Sequence, residues 1–317
     1  MKNVMIQNPF KHMPEFLKSE KLNDSRSNIE LTKRLQIEIL KTFKATISII
    51  ESYDLRYWVC SGTLLGAVRH QGFIPWDDDV DIYMPRHDYD ILVNEISKSL
   101  IGRYRVVSMN DKGYYLPFAK IIDTETTLWE LESYPFLLGV FVDIFPLDYF
   151  DVCDKIPTIQ SGLIKREWDY YRFVGDCGNS VLYHLLLNKN YRVFSYKLLR
   201  RIFGDRLMKI AYDRFVVYDN EIKRSEKGDY CLCIYCEDPI LKSKWFEDSI
   251  EMPFEDMTVR APVGYKEYLS CCYGDYMKLP PVSERVPKHD HYYLNLNEGL
   301  SIVEVKNRMK KGEHWVY

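Results

Sequence analysis

The sequence predicts an α+β fold, a mixed β-sheet flanked by helices, with a helical insertion and a returning C-terminal segment. Three observations carry this. Residues 28–52 place apolar side chains at helical spacing. Between 55 and 150, short β-type runs follow one another between turn signals, with two helix-like stretches among them. Over 155–227 the strand signal almost vanishes and Tyr, Leu and basic residues dominate. The expected organisation is an irregular arm at 1–27, a core at 28–150, a helical insertion at 151–228 and a segment at 229–317 that completes the core.

Taken in order, Leu31, Leu35, Ile39, Leu40, Phe43, Ile47 and Ile50 line one face of an amphipathic helix from Asn28 to Ser52. "LRYWVC" (55–60) is a short β-type run that stops at Ser61-Gly62 and leads into a helix, "TLLGAVRH" (63–70). An acidic strand follows at about 79–83. "RHDYDILVNEISKSL" (86–100) reads as a second helix, with Tyr89, Leu92, Val93 and Ile96 on one face. "YRVVSM", "YYLPFAKII", "TTLWEL" and "VFVDIF" read as strands. Beyond the insertion, "YCLCIYC" is β-type and a helix is expected near 264–273.

The chain has 317 residues, 46% of them hydrophobic, enough for a sizeable core. A net charge of −3 gives no general attraction to nucleic acid. The start, "MKNVMIQNPFKHMPEF", has no continuous apolar stretch or small-residue cleavage site, so no signal peptide is expected. No apolar run of about 18 residues suggests a membrane span. Eight scattered cysteines read as reduced thiols, and the expected location is the cytoplasm, or the inner face of the cytoplasmic membrane.

The most informative stretch is "GFIPWDDDVDIYM" (72–84). Acidic runs are usually solvated, but this one is framed by Ile74, Trp76, Val80, Ile82 and Tyr83. If the strand begins early, Asp77, Asp79 and Asp81 share one face while Val80 and Ile82 face the core. Carboxylates so placed repel one another and need protonation or a hard divalent cation. An EF-hand is excluded, because Ile82 and Asp88 stand where its loop requires Gly and Glu. "GVFVDIFPLDYF" (139–150) repeats the design with Asp143 between Val142 and Ile144; Asp148, past Pro146, reads as a loop or cap residue. Two strands delivering carboxylates to one point can hold one or two Mg2+ (or Mn2+), the equipment of phosphoryl transfer. Upstream, Ser61, Gly62 and Thr63 open a helix whose N-terminal N–H groups suit phosphate.

A small-residue turn, a helix and D-x-D on the next strand resemble the nucleotidyltransferase superfold, although the gap from Gly62 to Asp79 is longer than usual. "SGTLLGAVRHQGFIPWDDDVDI" (61–82) resembles the signature of the LicD family, bacterial phosphotransferases related to the fukutin-related proteins. The resemblance continues through "FAKIID" (118–123), "FVDIFPLD" (141–148) and "YLSCCYGDYMKLPP" (268–281), with Arg285 and His289. It implies transfer of a phosphorylated alcohol, phosphocholine in the type activity, from a CDP-linked donor to a sugar hydroxyl of a cell-surface glycan precursor such as teichoic acid, lipopolysaccharide or capsule, with release of CMP. It also implies that Asp77, Asp79, Asp81 and Asp143 are the metal carboxylates. Asp143 is either ligand or base. The alternatives are a CDP-polyol donor (ribitol or glycerol phosphate), a nucleotidyltransferase or D-x-D glycosyltransferase, and, behind these, a non-catalytic glycan-binding protein.

Around that centre, Lys120 reads equally as a phosphate contact and as a snorkelling lysine. Arg69 and His70 either face phosphate or complement a helix dipole. Arg285 and His289 belong to a Pro-rich loop that the resemblance places over the donor. Trp76 and Trp129 are weak choices for an aromatic contact to choline or base. Asp78 has no assigned role. Cys231, Cys233 and Cys236 form C-x-C-x-x-C, but without a convincing fourth ligand zinc is disfavoured. The stretch 186–210 carries seven basic residues (Lys189, Arg192, Lys197, Arg200, Arg201, Arg206, Lys209) interleaved with apolar ones. It suits an anionic membrane surface, where a lipid-linked acceptor would lie, and equally a helix packed on the core.

Overall fold

The long first helix, α1 (Ser25–Ser52), buries Leu35, Ile39, Phe43, Ile47 and Ile50 and presents charges on its other face. This is the periodicity expected. The computed structural model describes residues 25–98, 101–130, 136–151, 198–199, 202–203, 205–235, 239–289 and 291–316. The N-terminal arm, apart from its last residues, and most of the helical insertion lie outside the described residues. So do Lys189, Arg192, Lys197, Arg200 and Arg201 of the basic stretch, and Cys153, Cys177 and Cys236.

The fold is mixed α+β, with six α-helices among the described residues. The chain runs from β1 (Trp58–Val59) through α2 (Ser61–His70) to β2 (Asp81–Pro85), α3 (Arg86–Asn94), β3 (Tyr104–Val107), β4 (Ala119–Asp123), β5 (Thr127–Trp129) and β6 (Phe141–Phe150). After the insertion come α4 (Asp205–Glu221), β7 (Tyr230–Leu232), β8 (Leu241–Lys242), β9 (Ser249–Phe254), β10 (Met257–Pro262), α5 (Tyr265–Tyr273), β11 (Tyr293–Asn295), α6 (Ile302–Met309) and β12 (Trp315–Val316).

The main sheet has the order β1-β2-β6-β4-β3, with β7 on the far half of β6 and β8 beside β7. Only β2 and β6 are parallel in it. Val80, Ile82, Ile144, Ala119 and Ile121 are buried in one cluster with α1 and α3, so the hydrophobic core lies under the strands that carry the acids. Two smaller sheets flank it: the β9–β10 hairpin, and β5–β11–β12, which brings the C-terminal segment alongside β5.

Three expectations are corrected. The acidic strand begins at Asp81, not 79, so Asp77 and Asp79 lie in the extended run-in before it. "YYLPFAKII" is strand only from Ala119. Asp148 is neither loop nor cap: β6 continues through Pro146, and the wholly buried Asp148 side chain receives Arg86 at 2.7 and 2.9 Å and Arg224 at 2.7 Å. Arg224 also meets Asp219 at 2.6 Å, which ties the exit of α4 to the central strand.

The inserted "HQGFIPW" is held from outside. The tip of the β9–β10 hairpin receives Phe73 N on Glu255 Oε1 (3.0 Å), while Glu255 N donates to Gln71 O (2.8 Å). A Cβ on Gly72 would lie 2.1 Å from that carboxylate oxygen, so any larger residue would push the Glu255 side chain out of this contact. From below, Gln36 of α1 donates to Ile74 O (3.1 Å) and Asp77 O (2.8 Å).

Candidate active site

Sheet register builds the centre. Asp81 is paired with Asp143 across the parallel β2–β6 ladder, and Asp143 with Lys120 across the antiparallel β6–β4 ladder. Paired residues share a face, so acid, acid and base form one row across three strands. Asp79 joins from the run-in, and carboxylate oxygens of Asp79, Asp81 and Asp143 lie within 4.8 Å of one another.

The charges in this row are costly. Burial first, then the charges of Asp79, Asp143 and Asp77, push the Asp81 carboxyl well above its usual range. Burial raises Asp143 to about 6 against the pull of Lys120. Burial also raises Asp79, although His289 opposes it. Such an oxygen-only donor set fits a hard divalent cation.

Lys120 is 2% exposed. Its Nζ lies 2.6 Å from Asp143 Oδ1, 3.5 Å from Glu130 Oε1 and 3.3 Å from the centre of the Phe141 ring. The structure thus places this lysine among carboxylates. Glu130, which the sequence did not single out, is held by Tyr115 as well.

The start of α2 faces the same centre. Ser61 has a left-handed φ of 46°, a conformation L residues adopt at a cost, and its N–H donates to Tyr268 Oη at 3.1 Å. Thr63 turns inward: its Oγ1 accepts the Asp81 N–H at 2.8 Å and so fixes where β2 begins. Asp77 lies directly over Gly62, where a Cβ would stand 2.6 Å from Asp77 Oδ2. Burial, then Asp79 and Asp78, raise the Asp77 carboxyl to about 7.

The C-terminal segment returns on the other side. His289 N–H and Nδ1 both reach Asp78, at 3.2 and 2.9 Å, while Nε2 lies 3.6 Å from Asp79 Oδ2. Burial lowers the His289 pKa, but Asp78, Asp79 and Asp143 outweigh it and raise the ring to about 10. Arg285 sits over the ring of the half-buried Trp76 at 5.7 Å. His70 meets Trp76 edge-on, with ring centres 6.4 Å apart, and Arg69 Nε donates to His70 Nε2 at 3.0 Å. Burial and the charge of Arg285 hold Arg69 below its usual range.

The structure therefore groups Asp77, Asp79, Asp81, Asp143, Lys120 and His289, with Ser61, Gly62 and Thr63 beneath and Arg69, Arg285 and Trp76 to one side. Trp129 is placed elsewhere. It is buried with Tyr293 and Val305 and packs edge-on against Tyr292, so it belongs to the small β5–β11 core. Sequence reasoning missed the roles of Asp78, Glu130, His291 and Lys288. His291 Nε2 lies 3.9 Å from Asp78, and the charge of Lys288 acts on Asp77 and Asp79. Lys288, His289 and His291 stand close together in the sequence, a basic cluster that could have drawn attention. Cys231 on β7 and Cys233 just past it are both buried, and burial pushes the Cys231 thiol up to about 12, far from the thiolate a metal would take.

Residues 54–172 match the family model described as LicD/FKTN/FKRP, nucleotidyltransferase domain. The chain is 30% identical over 257 residues to the lipopolysaccharide cholinephosphotransferase LicD of Haemophilus influenzae, covering 80% of this chain and 92% of that protein. An uncharacterized protein of Rickettsia typhi is 41% identical over 122 residues, 38% of this chain and 37% of its own. Human ribitol 5-phosphate transferase FKRP is 45% identical over 42 residues, 13% of this chain and 8% of that protein. A relative matched along nearly its whole length, together with a family domain that contains the acidic row, places this chain: it belongs to the LicD family and is a phosphotransferase.

Proposed function

We propose that the protein transfers a phosphorylated alcohol, phosphocholine in the first instance, from a CDP-linked donor to a sugar hydroxyl of a cell-surface glycan, releasing CMP. The observation that carries this is the row of Asp79, Asp81 and Asp143 facing a returning basic segment. An anionic centre bordered by Arg69, Arg285 and Lys288 suits a cation and a diphosphate held together. The similarity to the Haemophilus cholinephosphotransferase supports phosphocholine and a lipopolysaccharide acceptor. The short match to FKRP favours phosphoribitol as the second reading.

Asp79, Asp81 and Asp143, with Asp77 beside them, would hold Mg2+ or Mn2+. When bound, that ion supplies charge stabilisation to the donor phosphates. The protein's own groups do the rest. Arg69, held below its usual range by burial and by the nearby charge of Arg285, binds and orients the diphosphate together with Arg285. Asp143 serves here as a ligand of that ion; the alternative role, accepting the proton of the attacking hydroxyl, requires that it stay off the ion. Lys120 keeps that carboxylate oriented and its charge compensated.

A nucleotide-activated donor puts the reaction on the cytoplasmic side. Contact of the basic stretch 186–210 with an anionic membrane would bring a lipid-linked acceptor to the site. No described helix is long and apolar enough to cross a membrane.

The deciding experiment offers the purified protein CDP-choline, CDP-ribitol, CDP-glycerol, a nucleoside triphosphate and a nucleotide sugar with Mg2+. CMP release from CDP-choline is expected. Release of pyrophosphate or of a sugar nucleoside diphosphate instead would replace this reading. Asp79→Asn should abolish turnover at little cost to folding.

A further inference from the structure

Asp78 is the one carboxylate of the acidic run that the proposed chemistry leaves unused. Its side chain is almost fully buried and engages the C-terminal segment, with a carboxylate oxygen within 4.8 Å of both an Asp79 oxygen and a His289 ring nitrogen. Two donors from a single residue converge on it. His289 N–H reaches Oδ2 at 3.2 Å, and Nδ1 lies 2.9 Å from Oδ1. A carboxylate that grips both the backbone and the ring of one residue sets that ring's rotamer and leaves Nδ1 engaged. The opposite nitrogen, Nε2, is then directed back to the centre, 3.6 Å from Asp79 Oδ2. The His289 side chain is 40% exposed, so packing contributes little to its orientation and Asp78 much. The same segment carries Arg285 over Trp76, and Lys288.

We propose that Asp78 is a positioning residue. It holds His289 through Nδ1 so that Nε2 faces the donor phosphates beside Asp79, and it ties the basic segment Arg285–His289 across the site. This rests on the reading of the carboxylate row as the reaction centre. In this role Asp78 acts through His289 and not as a ligand of the cation, a distinction that Mn2+ affinity reads. It joins residues 211 apart in sequence, so the acidic run supplies both the reactive carboxylates and the anchor for the segment that covers them.

The test uses the full chain and four variants: Asp78→Asn, Asp78→Ala, His289→Ala and the double Asp78→Ala/His289→Ala. With CDP-choline and saturating Mg2+, Asp78→Ala and His289→Ala should each raise KM roughly ten-fold, the scale of losing hydrogen bonds to a charged group, with a smaller effect on kcat. The double variant should be no worse than the worse single, because both remove one interaction. Asp78→Asn, which keeps an acceptor oxygen, should fall between wild type and Asp78→Ala. Two readouts need no donor. Trypsin should cut after Arg285 and Lys288 faster in Asp78→Ala than in wild type, at an unchanged melting temperature. Mn2+ affinity, followed by electron paramagnetic resonance, should not change. Additive effects in the double variant, unchanged trypsin rates, or Mn2+ affinity lost as in Asp79→Asn would each overturn the assignment. Wild-type protein inert toward CDP-choline would instead sink the donor reading, and the trypsin and Mn2+ results would then decide the role of Asp78 alone.

Discussion

Replacing Lys120 by methionine separates two roles that look alike in a sequence. If Lys120 serves mainly to bind phosphate, Lys120→Met costs donor affinity and leaves the fold intact. The structure requires otherwise. Its Nζ is 2.6 Å from Asp143 and 3.5 Å from Glu130, in a side chain 2% exposed. At an effective dielectric of 20 these attractions are on the order of 6 and 5 kcal/mol before desolvation is charged against them. Methionine keeps the apolar stem but leaves two buried carboxylates uncompensated, and breaking a buried pair from one side costs about 3–5 kcal/mol. A divalent cation on Asp79, Asp81 and Asp143 would replace the lost charge at Asp143 but not at Glu130. The loss in EDTA should therefore approach the full amount, and saturating Mg2+ should recover part of it. Urea unfolding followed by tryptophan fluorescence, in EDTA and in Mg2+, measures both. A loss below about 1 kcal/mol, well short of that range, or an equal loss in the two buffers, would refute the compensation argument.

Other consequences are equally open to measurement. Asp148→Asn leaves Arg86 and Arg224 facing a neutral amide in the core and should cost about 3–5 kcal/mol in thermal unfolding. Gly62→Ala should hold or slightly improve helix stability, since alanine gains about 1 kcal/mol over glycine within a helix. Its Cβ, 2.6 Å from Asp77 Oδ2, should nevertheless displace that carboxylate and weaken Mn2+ binding. Asp143 and Asp77 are raised to about 6 and about 7 from 3.8, so between pH 4 and 7 the folded, metal-free protein binds more protons than the unfolded chain. Its stability from these groups therefore falls as pH rises through that window. Mn2+ affinity should rise over the same range, because the ligands must lose their protons. A metal-free stability that climbs from pH 4 to 7 at these sites, read by comparing wild type with Asp77→Asn, would contradict this.

The parts of the fold legible in the sequence are those whose pattern is local. The periodicity of Leu35, Ile39, Phe43, Ile47 and Ile50 gives α1, and alternation around Asp143 gives the centre of β6. Where β2 begins is not local. Asp79-Val80 and Asp81-Ile82 alternate alike, but the β6 ladder starts at the Asp81–Asp143 pair, and Thr63 receives the Asp81 N–H. Asp148 misled because proline usually ends a strand, whereas here Met84 pairs opposite Pro146 and the ladder continues. The α6 helix had a readable signal, the capping box of Ser301 and Glu304. The Asp78–His289 pair had none, since nothing in a period of two or 3.6 residues reports a partner in another segment of the fold.

That long-range pair explains why the acidic run carries a side chain on each side of its chain direction. In the row of Asp81, Asp143 and Lys120 the compensating charge stands at the β4 end, where Lys120 meets both Asp143 and Glu130. At the other end no described cation forms an ion pair with Asp81, and Asp79 is met by His289, which Asp78 holds in place. The carboxylates of Asp79, Asp81 and Asp143 thus crowd together between strand β2 and the attached segment. A diphosphate alone would be repelled there, and a cation alone attracted, so the electrostatics favour cation before donor. Reciprocity of binding then requires that the donor tighten the cation in turn, and the basic residues that Asp78 anchors are the ones placed to meet the donor once the carboxylates are neutralised.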